Sequence, residues 1–219
     1  MFILGKTLEL SELNNLNTDR EFKRNTVDIL CIDDQGFQYE EILRHHGFSI
    51  RVIKDIEDIK AVEAYPIVIC DIKGIGKSFN SPYEGGHIIQ EIKKYYPSKT
   101  VVAFSGHSFD TKYNKFFKMA DHVVSKDIDS DDWVNLLDEI VKQMISPIEQ
   151  WKSMRQYLIN QNVSTKTVFK LEQEYIEAMI KKDINKFGKE KTLGYLGSDI
   201  RGVIQGFTAS LIFKWVIGS

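Results

Sequence analysis

Five side chains stand where apolar runs end, and their types suit the handling of a phosphoryl group. Asp33 and Asp34 follow the run 27–32, Asp71 follows 65–70, Ser105 follows 100–104 and Lys126 follows 122–125. Three carboxylates brought together repel one another, and the usual remedy is a hard divalent cation held by oxygen ligands. Magnesium is the natural candidate. It would neutralise Asp33, Asp34 and Asp71 and orient a phosphoryl group for in-line attack by a carboxylate oxygen. The Ser105 hydroxyl could then bind one phosphoryl oxygen while the Lys126 ammonium pairs with another. Any one of these aspartates alone reads as a turn former. The set in this order, at strand ends, reads as one site.

The elements that would position them follow a βα rhythm. The runs 27–32, 48–53, 65–70, 100–104 and 122–125 alternate with amphipathic stretches at 37–46, 56–64, 86–96, 110–120 and 131–144. Nearly continuous Val, Ile, Leu and Cys in several runs is the pattern of parallel strands covered on both faces. Ligands of such sheets bind outside the carboxyl ends of the strands, where these five residues fall. Cys31 and Cys70 end apolar runs and read as buried thiols rather than a bridge or a metal pair.

The stretches 28–34, 67–71, 101–106 and 123–126 resemble the receiver family of two-component response regulators, over about residues 25–144. The resemblance implies a five-stranded, doubly wound parallel sheet of the flavodoxin-like receiver type, with Asp71 as phospho-acceptor and Ser105 and Lys126 sensing the phosphoryl group. It implies magnesium on Asp33, Asp34 and Asp71, with the backbone carbonyl of Lys73 as a further ligand. A histidine kinase or a phosphotransfer protein would be the donor, and no enzymatic activity is expected beyond self-phosphorylation and autodephosphorylation. The chain departs from the family in three places. The stretch 72–84 is several residues longer than the pattern. Asp127 stands where the family has proline, and since a non-proline cis bond costs about 2.5–4 kcal/mol, a trans bond or a rearranged loop is expected. Val123 occupies the place of the aromatic switch. His107, two residues beyond Ser105, reads either as a modulator of dephosphorylation or metal binding, or as a solvated loop residue. A pseudo-receiver that keeps the fold without phosphorylation is the competing reading.

Residues 1–25 read as an N-terminal extension that packs on the sheet or stays mobile, 26–145 as the receiver domain, and 146–219 as a helical output or dimerisation region. Ser146-Pro147 marks the junction. The last region carries 11 Lys and Arg against 7 Asp and Glu, in a chain of net charge −2. Helices are predicted at 148–161, 165–182 and 198–217. The stretch 158–175 admits a weak helix-turn-helix reading with Lys166 and Lys170 toward phosphates. Its three- and four-residue apolar spacing is met equally by a core helix, so nucleic-acid binding is not favoured. The apolar surface of Val203, Phe207, Leu211, Trp215 and Val216 predicts a homodimer built by the C-terminal helices. No run reaches the length of a membrane span and no secretory signal is evident, which predicts a cytoplasmic location.

Overall fold

The computed structural model describes residues 7–17, 23–106 and 111–209. It divides into two units, Phe22–Val141, and Met1–Glu21 with Lys142–Ser219.

In the first unit β1 (Asp28–Ile32), β2 (Ser49–Ile53), β3 (Ile67–Asp71), β4 (Thr100–Ser105) and β5 (His122–Ser125) form one sheet. Every pairing is parallel and the order is β2-β1-β3-β4-β5. This is the flavodoxin-like doubly wound order, with its switch point between β1 and β3. The strands form where β-branched residues can be buried on both faces. Leu30, Ile32, Val68, Cys70, Val101 and Ala103 face a core closed by Ile88, Ile89 and Ile92 of α2 (Gly85–Tyr95) and by Phe116 of α3 (Asn114–Phe117). The alternate residues, ending in Phe104, face the other way. There Phe104 meets Phe37 and Trp133, the latter on α4 (Ser130–Ile145), with ring centroids 5.4 and 5.6 Å away. Arg24 ties the edges of this layer: its guanidinium donates twice to Asp138 at 2.7 Å and once to the carbonyl of His46, which ends α1 (Glu40–His45).

Two expectations for this unit change. The stretch 56–64 carries a 3₁₀ turn, Ile59–Val62, and no α-helix. Its apolar residues Ile56, Ile59 and Val62 recur every three residues, the 3₁₀ repeat, and the Asp58 side chain accepts from the amide of Lys60 at 2.9 Å. The 110–120 stretch contains a 3₁₀ turn, Thr111–Tyr113, followed by α3 alone, while residues 107–110 lie outside the described residues.

In the second unit α5 (Pro147–Asn160), α6 (Thr165–Lys181), α7 (Glu190–Leu193) and α8 (Ser198–Ala209) assemble around aromatic rings. Ser146 caps α5 with Pro147 in its first turn, and Ser164 caps α6. Trp151 stacks on Tyr175 at 5.1 Å, and Phe187 and Phe207 close on Tyr175 at 5.6 and 6.0 Å. Where it is described, the N-terminal segment 7–17 belongs to this unit. Its 3₁₀ helix, Leu10–Asn17, packs on α5 and α6. Gln173 of α6 clamps the backbone of Leu8, accepting from its amide at 2.8 Å and donating to its carbonyl at 2.9 Å. The physical reason is that Leu13 needs an apolar seat, which it finds here fully buried.

Two expectations for the tail are affected as well. Val168, Leu171, Tyr175 and Met179 of α6 are buried, as the core-helix reading requires, and α6 packs on α5, α7 and the N-terminal segment. Phe207, expected at a dimer interface, is instead buried in its own chain between Tyr175 and Phe187. Leu211, Trp215 and Val216 lie outside the described residues. No described helix is long and apolar enough to cross a membrane.

Candidate functional site

The carboxyl ends of β1 and β3 bring the acids together because these two strands are neighbours in the sheet. Asp33 follows β1 directly. Its amide extends the pairing to Ile53, donating at 3.0 Å, and its Oδ1 accepts from the amide of Gln35 at 3.0 Å, which fixes the turn. Asp71 is the last residue of β3, opposite Phe104 of β4. Its Oδ1 accepts from the amides of Ile72 at 2.7 Å and Lys73 at 3.4 Å. Behind it stands the start of α2, so close that a Cβ on Gly85 would lie 1.8 Å from the Asp71 carbonyl oxygen. Only glycine permits that approach.

Asp33, Asp34 and Asp71 each offer an oxygen within 4.8 Å of the others, with Asp33 and Asp71 buried and Asp34 half-buried. Lys126 enters from the end of β5. Its Nζ lies 2.5 Å from Asp71 Oδ2 and 3.4 Å from Asp33 Oδ2, and 5.2 Å from the centroid of the Phe104 ring. Burial pushes the Asp71 carboxyl above its ordinary range, and the Lys126 hydrogen bond and charge pull against that rise. Lys126 itself is raised: burial alone would lower it, and the hydrogen bond and charge of Asp71, with Asp33 behind it, outweigh that effect. The lysine is thus held as a cation by the acids it faces. An all-oxygen carboxylate set of this size fits a hard divalent cation, with Asp33, Asp34 and Asp71 as its holders.

The remaining sequence-identified residues fall as follows. Ser105 ends β4, one residue past the partner of Asp71, and its hydroxyl donates to the Gly106 carbonyl at 3.2 Å. Lys73 lies in the loop that follows β3, with its amide toward the Asp71 carboxylate. The Lys126–Asp127 bond is trans. Val123 is 54% exposed on β5. His107 lies outside the described residues.

Sequence reasoning missed three side chains that anchor loops of this unit, Tyr39 and Glu84 next to the site and Asp55 further from it. Tyr39 is buried beneath the β5–α4 loop, and its hydroxyl lies 2.5 Å from the Ile128 carbonyl and 3.1 Å from that of Lys126. Asp55, just after β2, accepts from the amides of Gly76 at 2.6 Å and Lys77 at 3.2 Å. Glu84 accepts from the amide of Gly74 at 2.6 Å and from the Tyr113 hydroxyl at 3.3 Å. The long stretch 72–84 is therefore pinned by carboxylates at two points. An acid immediately before Gly85-Gly86 was the visible signal for Glu84, although nothing in the sequence gave its partners.

An open parallel sheet with an acidic trio and a lysine converging at its switch point defines a class, the receiver-like α/β domain. Over about half its length the structure is similar to response-regulator receiver domains. The CheY-like receiver domain protein of Methanospirillum hungatei JF-1 is 18% identical, with 53% of this chain and 94% of that one covered at a TM-score of 0.45. For the receiver domain of NtrX from Brucella abortus the identity is 25%, the coverage 52% and 98%, and the TM-score 0.44. A response regulator from Thermotoga maritima is 16% identical, with coverage of 53% and 98% and a TM-score of 0.43. No protein-family model and no curated protein matches the chain.

Proposed function

We propose that this chain is a response-regulator-like signalling protein whose first unit accepts a phosphoryl group on Asp71. The observation that carries the reading is the buried Asp71 carboxylate, 2.5 Å from Lys126 and grouped with Asp33 and Asp34. A free Asp71 oxygen attacks the phosphorus of a phosphohistidine donor in line. A P–O bond forms, the P–N bond breaks, and the donor imidazole leaves with its electron pair and takes up a proton. Asp33, Asp34 and Asp71, with the Lys73 carbonyl, would hold magnesium, which would supply charge neutralisation and orientation of the phosphoryl oxygens. Lys126 moves its ammonium from the carboxylate to a phosphoryl oxygen, and the Ser105 hydroxyl turns from the Gly106 carbonyl to another. The donor is a histidine kinase or a phosphotransfer protein. The chain's own chemistry is limited to its phosphorylation and dephosphorylation, and the helical unit passes the change on through protein contacts. DNA binding through 158–175 has less support, because the buried face of α6 is explained by its own packing.

The test is incubation of wild type and Asp71→Asn with a small phosphodonor and magnesium, read by phosphate-affinity electrophoresis. Retardation of wild type alone, abolished by chelation, is the expected result. Identical mobility of the two proteins removes Asp71 as the acceptor.

A further inference from the structure

Resting on that reading, we propose that Glu84 is a positioning residue: it sets the Lys73–Gly74 peptide so that the Lys73 carbonyl faces the acidic trio. The starting observation is a backbone outlier. Glu84 has φ 48° and ψ −126°, a conformation that L-residues rarely adopt and that persists only where the surroundings impose it. Glycines follow at 85 and 86 and would adopt such angles freely, yet the strained place is held by a glutamate. Its carboxylate explains the choice.

One oxygen of Glu84 accepts the Gly74 amide at 2.6 Å, and the other accepts the Tyr113 hydroxyl at 3.3 Å. The carboxylate is thus fixed from the β4–α3 side while it holds the β3–α2 loop. The Gly74 N–H belongs to the same peptide plane as the Lys73 carbonyl. In a planar trans peptide the carbonyl oxygen points away from the N–H and lies on the same edge as the following α-carbon. That α-carbon faces the site: a Cβ on Gly74 would fall 2.5 Å from Asp34 Oδ2 and 2.6 Å from Oδ1. With Glu84 holding one edge of the plane, the edge that carries the Lys73 oxygen is turned toward Asp34. Gly74, at φ +80°, has no side chain to obstruct that approach. Asp55 holds the same loop further on, at Gly76 and Lys77, and has no bond to this peptide.

The experiment is calorimetric titration of the full chain with magnesium chloride, together with hydrogen exchange at the Gly74 amide. Glu84→Gly is the main variant, because glycine takes the 84 backbone without strain while the change removes the side chain that carries the carboxylate. Loss of a group that orients a metal ligand typically costs 10–100-fold in affinity, so Glu84→Gly should bind magnesium at least about tenfold more weakly. Gly74 exchange should quicken, and Asp55→Asn should stay close to wild type in affinity. The relative loss should be the same at ~0.15 M and ~1 M salt, where the Debye length falls from ~8 to ~3 Å. A loss that disappears in high salt would make Glu84 a remote charge and overturn the positioning role. So would equal losses in Glu84→Gly and Asp55→Asn, or wild-type affinity in Glu84→Gly. A wild type that takes up no magnesium overturns the cation reading and this inference with it, whereas normal wild-type uptake with an unaffected variant overturns the inference alone.

Discussion

At the scale of single residues, the site balances repulsion against function. Lys126 bonds to Asp71 and Asp33, while Asp34 accepts from the side-chain amide of Gln35 at 3.1 Å. Without a cation, the third carboxylate adds repulsion that one lysine does not cancel. Asp34→Asn is therefore expected to raise stability in chelator by about 0.5–2 kcal/mol. The same change should remove the stabilisation that magnesium gives wild type through linked binding. Urea denaturation with EDTA and with magnesium checks both, and a less stable variant in EDTA would contradict the argument. Tyr39→Phe takes the hydroxyl donor from the Ile128 carbonyl, while that of Lys126 keeps the side-chain amide of Gln38, at a cost of about 1–3 kcal/mol by the same measurement. That Asp33, Asp34, Asp71 and Lys126 come together was legible in the sequence because the ends of parallel strands, which apolar runs mark, converge at one edge of the sheet. Tyr39 was not, since an aromatic residue after a turn reads equally as core. Glu84 was hidden because its role depends on the path of an irregular loop.

Secondary-structure elements were legible in proportion to how completely they are buried. All five strands lie within a residue or two of the predicted runs, because β-branched stretches covered on both faces leave a continuous signal. The β2–β3 connection was misread, since three apolar residues over seven positions serve a 3₁₀ turn as well as a short helix. A lysine secures that connection. Lys99 donates to the carbonyls of Glu63 at 2.8 Å and Tyr65 at 3.0 Å and faces the Tyr96 ring at 5.1 Å. Burial lowers it from its ordinary 10.5 to about 8. Between those values the unfolded chain binds a proton that the folded chain has released, so stability rises with pH across this window. Below about 8 the contribution is flat. The rise should not exceed ~3 kcal/mol, and it should be missing from Lys99→Met. Parallel denaturation series of the two proteins from pH 7 to about 10.5 decide it; equal slopes would place the lysine's titration elsewhere.

For the whole molecule, the question is what the helical unit meets. Residues 211–217 carry Leu, Ile, Phe, Trp and Val in a stretch interrupted by Lys214 alone, which supports self-association as part of the proposed function. Light scattering of the full chain should give a dimer, and the double change Leu211→Glu with Trp215→Glu should give a folded monomer. Phe207→Glu should behave differently. Phe207 is buried among Tyr175 and Phe187 of its own chain, so a charge there should unfold the unit rather than divide two copies. A wild type that is monomeric at micromolar concentration would remove the dimer.

The clamp of Gln173 on Leu8 joins residues 165 positions apart, and this has a consequence for synthesis. A ribosome adding roughly 5–20 residues per second makes the N-terminal segment about ten to thirty seconds before the helix that receives it. During that interval the whole of the sheet has emerged, with its own core complete, while Leu13 waits in water. A segment made before the sheet is thus among the last to fold, and a nascent chain arrested before α6 should leave residues 8–17 open to protease after the sheet has become resistant.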